Sequence, residues 1–284
     1  MSRKIRNEIA FDVGNRANGE ASSQQNMKDS DLIVLLCQDC DATRVVYHAL
    51  KTKFKNVRVI TENPVSKVQM AKRRMKRIGK FAVFGQVLFV SLAVPVLRSM
   101  SKKRLAEIKQ NYNFDFSPLP SDTIHVETIN SDEAREHLRK LAPKVVVVNG
   151  TRIISKETLR SADAPFINMH MGITPLYRGV HGGYWALAEN KNDLIGTTIH
   201  YVDEGIDTGS IIEQAYFEPS KKDNFYTYPY LHLVAGVPIL LEAVANVLSG
   251  KTVEAKKRDD LPSQLRYHPT VWQYFYLLLR KGVR

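Results

Sequence analysis

Cysteine is scarce. The 284-residue chain has two, Cys37 and Cys40, which excludes a disulfide scaffold and fits a reducing, cytoplasmic address. Their Cys-x-x-Cys spacing suits a redox pair or half a zinc site, but no second pair exists to complete one, and a plain structural role is the simpler reading. The first thirty residues lack an apolar core and include acidic residues, which excludes a secretory signal there. They are rich in Asn, Ser, Gln and charge, and the expectation for 1–30 is a disordered tail. Acidic residues are missing altogether between Val65 and Arg104, where eleven Lys or Arg occur. Within that stretch the apolar run Phe81 to Leu97 is interrupted by Gln86, Ser91 and Pro95, too short and too broken to read as a membrane span. Glycine is absent from Gln38-Asp39-Cys40-Asp41, the turn after the first apolar run, so no glycine-rich phosphate cradle is expected there.

What is present is an ordinary globular composition, 44% hydrophobic and 25% charged, with a formal net charge of +12. Leu32 to Cys37 reads as a fully buried strand, followed by a helix from Asp41 through Lys53 and a second strand at Val57 to Thr61. Strand, helix, strand at this spacing is a βαβ unit. Ile124 to Thr128, Asp132 to Leu141, Val145 to Asn149 and Phe166 to His170 repeat the alternation. The predicted fold is α/β, a doubly wound, mostly parallel sheet with helices on both faces, whose ligands sit at the carboxyl ends of the strands. The expected division is a tail over 1–30, a catalytic domain over 31–250 carrying a basic and apolar insertion at about 65–109, and a basic, aromatic extension over 251–284 that is largely helical.

The stretch from Phe166 to Gly209 carries the chemistry. Asn168 and His170 are two apart on one strand, so both project from the same face. A Gly/Pro loop, a helix start at Gly183, a strand at Gly196 to Tyr201 and a tight acidic turn, Val202 to Gly209, follow. That turn holds Asp203, Glu204 and Asp207 along with Gly205 and Gly209 and can place a carboxylate beside an imidazole. An amine attacking an acyl carbon builds an oxyanion and sheds a proton. An imidazole can move the proton and an amide NH2 can donate to the oxyanion, while a nearby carboxylate orients the ring and stabilises its charged form. Taken singly, Asn-x-His is more often structural than catalytic.

Order and spacing change that reading. Asn168-Met169-His170, Pro175-Leu176-Tyr177-Arg178-Gly179, Gly196-Thr197-Thr198 and Asp207-Thr208-Gly209 together resemble the folate-dependent formyltransferases, over roughly Val145 to Glu218. The resemblance implies a catalytic trio of Asn168, His170 and Asp207 and a formyl donor, 10-formyltetrahydrofolate. One wall of the folate slot is expected from Arg152, Ile153 and Ile154, the other from Val202, Asp203 and Gly205. Without the resemblance, Ile153 and Ile154 read as core. Met171-Gly172-Ile173-Thr174-Pro175 departs from the family's usual run after the His, which bears on the acceptor more than on the chemistry.

The implied activity is transfer of a formyl group to a primary amine on a small molecule, with a nucleotide-linked amino sugar as the leading acceptor and Tyr177 and Arg178 as its binding residues. An aromatic and a guanidinium at that loop suit an anionic, ring-bearing molecule. Phosphoribosylglycinamide is set back by the acids at 38–41, which would repel its phosphate. Methionyl-tRNA is set back because only 75 residues follow Gly209 and much of that reads as helix, where the tRNA-acting enzymes carry a separate β-barrel. Formate release by hydrolysis is a further enzymatic alternative. The non-enzyme alternative is a binding module for anionic surfaces with a vestigial folate site. For the basic segment 65–104, packing or a solvated face comes first, an anionic membrane surface second and nucleic acid last.

Overall fold

A computed structural model describes residues 31–251 and 256–284; the tail expected over 1–30 lies outside the described residues. The chain begins with β1 (Ile33–Cys37), α1 (Asp41–Lys53) and β2 (Val57–Glu62). Four helical pieces follow: α2 (Lys67–Ile78), α3 (Lys80–Leu88), then, beyond a π-turn at Phe89–Ala93, α4 (Val94–Met100), and α5 (Lys102–Asn111). Next come β3 (Ile124–Val126), α6 (Asp132–Leu141), β4 (Val145–Asn149), α7 (Lys156–Leu159) and β5 (Phe166–His170). The remainder is β6 (Arg178–Gly179), α8 (Gly182–Ala188), β7 (Gly196–Tyr201), β8 (Ile211–Tyr216), α9 (Tyr228–Leu248), β9 (Leu265–Arg266) and α10 (Val271–Lys281).

Seven strands form one sheet in the order β3-β2-β1-β4-β5-β7-β8. The first five are parallel and β7 and β8 are antiparallel additions, so the doubly wound, mostly parallel fold read from the sequence is the fold observed. The all-apolar runs of β1 and β4 are explained by burial on both faces. Leu35, Val147, Ile167 and Ile199 enter one core, with α1, α5 and α9 above it. Leu36, Val146, Val148 and Phe166 enter the other, under α6. Alternation along β5 sends Ile167 and Met169 to the first core and leaves Asn168 and His170 together on the opposite side.

The segment between β2 and β3 is fixed to the body by three polar ties. Arg104 Nε donates to buried Asp223 (2.7 Å), Ser101 Oγ bonds Asn224, and Gln86 Nε2 donates to the His268 carbonyl (2.8 Å). Burial opposes ionisation of Asp223, but the Arg104 guanidinium outweighs it and holds the carboxyl below its ordinary range. The basic helix α2, by contrast, buries none of its residues. Beyond α9 the chain returns to the site: β9 pairs with β6, so the C-terminal segment braces the loop that follows β5.

Candidate active site

β1, β4 and β5 end at a cleft of about 550 Å³, lined from β4 by Asn149 and Gly150, from β5 by Asn168 and His170, and from the acidic turn by Asp203, Gly205 and Asp207. The strand order reverses between β1 and β4, the place where open α/β sheets bind ligands.

The three residues of the expected trio meet there. His170 Nδ1 lies 3.3 Å from Asp207 Oδ1, and Asn168 Nδ2 donates to the same oxygen at 3.4 Å. The second carboxylate oxygen accepts the Gly179 N–H at 2.9 Å. Asp207 has φ +51°, the left-handed region that side-chain-bearing residues seldom adopt, and the turn that holds it is closed from outside by Arg178 Nη1 on the Ile206 carbonyl (3.0 Å). The other nitrogen of His170, Nε2, donates to the Tyr177 carbonyl at 2.7 Å. Both ring nitrogens therefore face acceptors, an environment for imidazolium. Burial of the ring disfavours the charge, but the Asp207 carboxylate and the Tyr177 carbonyl prevail and His170 titrates above its ordinary value. Burial pulls Asp207 the opposite way from His170, and His170, with the hydrogen bond from Gly179, keeps its carboxyl far below the usual range. Gly172 is required by this packing: a Cβ there would stand 2.4 Å from the Tyr177 carbonyl oxygen and 2.8 Å from His170 Nε2.

His200, which the sequence reading did not single out, completes the arrangement. It pairs with Asn168 across β5 and β7. Its Nδ1 donates to the Tyr201 carbonyl (2.7 Å), so Nε2 is the acceptor and takes a hydrogen from Asn168 Nδ2 at 3.0 Å. The neighbours thus set the orientation of the Asn168 amide, with its NH2 toward His200 and Asp207. The only signal in the sequence was the alternation within Gly196 to Tyr201, which does not reveal a partner on another strand.

The remaining expected site residues divide. Ile153, Ile154, Val202, Asp203 and Gly205 all line the cleft. Arg152 lines it too, with its guanidinium turned to buried Glu62 (2.5 Å) and the Asn63 carbonyl (2.9 Å). Tyr177 and Arg178 are not among the lining residues. Tyr177 is fully buried with its hydroxyl on Glu189 (3.0 Å), so its ring cannot receive an acceptor, and Arg178 is spent on the acidic turn. The opposite wall is made instead by His181, Tyr184, Phe225, Tyr228 and His232. Burial pushes His232 down to about 3 and His268, behind His181, down to about 4, so that wall is uncharged near neutrality. Nor are the acids after β1 free to repel an anion: Asp39 pairs with Arg44 at 2.8 Å and Asp41 accepts the Tyr230 hydroxyl at 3.1 Å. Cys37 and Cys40 are free thiols, and burial pushes that of Cys37 far up, which makes it inert.

The cleft suits a flat heteroaromatic ligand. Ile153 stands 55% exposed on its lining, and Val202 lines it as well. Buried His232 Nε2 has no partner among the described residues and lines the same space.

At the switch point of a doubly wound domain an amide, an imidazole and a carboxylate meet, a set able to move a proton and to donate to an oxyanion. The formyl transferase family pattern matches residues 31–228, and the chain belongs to that family. A methionyl-tRNA formyltransferase of Thermodesulfovibrio yellowstonii is 31% identical over 125 residues, 44% of this chain and 40% of that protein. The matched stretch thus spans about two-fifths of the relative's length. A sugar N-formyltransferase from a Shewanella species superposes with a TM-score of 0.53 at 14% identity, covering 83% of this chain and 76% of the other. Glycinamide ribonucleotide transformylase 1 from Symbiobacterium toebii gives 0.52 at 17% identity, covering 82% and 96%. At these identities the solved structures establish the shared fold.

Proposed function

We propose that the protein transfers the formyl group of 10-formyltetrahydrofolate to a primary amine in the cytoplasm, with an amine on a nucleotide-linked amino sugar as acceptor. The observation that carries the reading is the meeting of Asn168 and His170 on one oxygen of Asp207 through contacts of 3.4 and 3.3 Å. Those are the slack bonds of the site, since the Tyr177 and His200 contacts are tighter. An oxyanion entering at that point can take a hydrogen from both Asn168 Nδ2 and His170 Nδ1, each of which gives up a long bond for a charge-assisted one. Asp207 keeps the ring charged beforehand, which adapts the role expected from the sequence: His170 starts as a donor and gives its proton to the tetrahydrofolate nitrogen that departs as the bond from the formyl carbon to it breaks. Asp207, its hydrogens from Asn168 and His170 released, is free to accept the proton the amine sheds. The donor would lie between Arg152-Ile153-Ile154 and Val202-Asp203-Gly205, and the acceptor would enter past His181 and Phe225.

An amino-sugar acceptor is supported by the absence of a glycine cradle after β1 and by the shared fold with enzymes described as sugar N-formyltransferases. Methionyl-tRNA is the second reading, favoured by the sequence relatives. Incubation with 10-formyltetrahydrofolate and either a panel of amino-sugar nucleotides or charged initiator tRNA, followed by release of tetrahydrofolate, separates the two. His170→Ala should cut turnover by roughly 10²- to 10⁴-fold while leaving folate binding nearly intact; retained turnover rejects the assignment.

A further inference from the structure

Two helical runs, Lys80–Met100 and Tyr228–Leu248, are long and apolar enough to cross a membrane, and their surroundings differ. The second is α9, packed against α1, β7 and β8 with Leu231, Leu233, Leu240 and Val244 in the core, so packing accounts for its composition. The first, formed by α3, the π-turn and α4, puts only one face into the body: Val83, Phe89, Ala93 and Leu97 are buried. The opposite face is equally apolar and lies in solvent, with Phe81 73% exposed, Phe84 56%, Leu92 61% and Val96 58%. α10 lies alongside, its Trp272 stacked on Phe81 at a centroid distance of 4.4 Å. It extends the same surface with Phe275, Tyr276 and Leu279, the last 82% exposed. A solvated helix ordinarily turns polar residues outward; two adjacent helices that do the reverse form a patch of the kind that marks an interaction surface.

Charge identifies the occupant. Lys72, Arg73, Lys76 and Arg77 on the wholly unburied α2, with Lys102 and Lys103 at the far end, make no ion pair among the described residues, and no acidic residue occurs from Val65 to Arg104. An apolar face carrying Trp and Tyr and rimmed by unpaired cations is complementary to a lipid bilayer with an anionic surface. Spanning is excluded by the inner face, because inserting Lys80–Met100 across a bilayer would strip Phe89, Ala93 and Leu97 from the core that holds them. We propose that the outer face of α3–α4 and α10, with α2 as its basic rim, docks the protein onto an anionic bilayer, the helices lying in the interface plane.

This surface is distinct from the cleft but adjacent to it. Phe89, on the inner face, meets Phe225 of the cleft wall at 4.8 Å, and Gln86 bonds the segment that positions His181 through His268. The docked lipid and the cleft are therefore separated by about one helix diameter, roughly 10 Å.

The test needs no acceptor and no turnover, so its outcome is separate from that of the catalytic reading. The full-length protein is floated with vesicles of phosphatidylcholine alone and of phosphatidylcholine mixed with phosphatidylglycerol. Association with the mixed vesicles only, falling as salt rises, is expected. Lys72→Gln with Arg73→Gln should lower the partition coefficient about 25-fold, roughly fivefold per cation, and Phe84→Gln with Leu92→Gln should lower it at least tenfold. The same variants should keep the wild-type thermal midpoint, since the altered side chains are exposed, and brominated lipids should quench Trp272. Failure to float with either vesicle, or variants that float as wild type does, overturns the proposal. So does a vesicle-free dimer, seen by sedimentation, that Leu92→Gln converts to monomer, which would give the face to a second copy of the chain.

Discussion

Replacing Asp207 by Asn removes a charge without removing the side chain, and the structure sets which way the pH profile should move. Asp207 Oδ1 lies 3.3 Å from His170 Nδ1, and His170 is only 6% exposed. Opposite charges at that separation attract by ~5 kcal/mol at an effective dielectric constant of about 20, and one pKa unit corresponds to about 1.4 kcal/mol. With the attraction gone, burial prevails and His170 should lose its proton at a lower pH than in the wild type. If turnover uses the imidazolium, the alkaline limb of kcat moves to lower pH with it, and turnover near neutrality falls. Stability follows the same sign. A raised His pKa stabilises the fold below the ordinary value near 6.5 and the contribution is lost as pH rises through the raised one. The depressed Asp207 stabilises above its ordinary value near 3.9, a contribution lost only as pH falls through the depressed one. The pair is therefore most stabilising between those limits, and the variant should lose a mid-pH maximum in thermal midpoint. The assay is kcat against pH with 10-formyltetrahydrofolate at saturation, beside direct titration of the His170 ring by NMR. An alkaline limb and a ring titration that stay in place in Asp207→Asn would refute the coupling, and with it the role given to the carboxylate.

Other perturbations test the framework around the trio. His200→Ala removes the acceptor that orients the Asn168 amide and should lower kcat about 10- to 100-fold with little change in KM for the folate. His200→Asn, which can still accept a hydrogen, should recover part of that loss. Gly172→Ala forces a Cβ to within 2.4 Å of the Tyr177 carbonyl. It should therefore displace the anchor of His170 and depress turnover more than thermal stability. Arg104→Met leaves Asp223, with its side chain wholly buried, without its guanidinium. By urea denaturation it should cost about 3–5 kcal/mol and loosen α3–α5, visible as faster amide exchange there. Arg152→Met leaves buried Glu62 to its remaining donors, the backbone N–H groups of Arg152 and Ile129 and the Gln38 amide. It should cost about 2–3 kcal/mol and weaken folate binding through a displaced Ile153.

How much of this was legible in the sequence depended on whether a residue's role is set locally. The order of strands and helices followed from apolar runs and turn residues, and period-2 alternation placed Asn168 and His170 on one face of β5. The acidic turn was legible because it is compact and glycine-rich, whereas the choice of Asp207 among its three acids came from the family resemblance. His200 was missed because its function arises from a register between strands whose partners are separated by a long crossover. Tyr177 and Arg178 were expected at the acceptor because they neighbour the site in sequence. What the loop contributes is a backbone carbonyl, which every residue type has and no sequence pattern advertises. The outward apolar face of α3–α4 was legible only in part, since packing ranked ahead of a membrane surface for 65–104. An apolar run reads as buried, and whether both faces are covered depends on how many partners the fold supplies: α9 has them on several sides, whereas the helix from Lys80 to Met100 has them on one.

The register of β5 against β7, which sets Asn168 opposite His200, bears on how such a site can diversify. Sliding β7 by a single position would set Ile199 or Tyr201 opposite Asn168, and the amide would find no acceptor. Because β7 is also held along its other edge by β8, its alignment does not rest on the residues connecting β5 to β7 alone. New specificity can then be written into the crossover by lengthening or shortening it, with the reacting groups left undisturbed beneath.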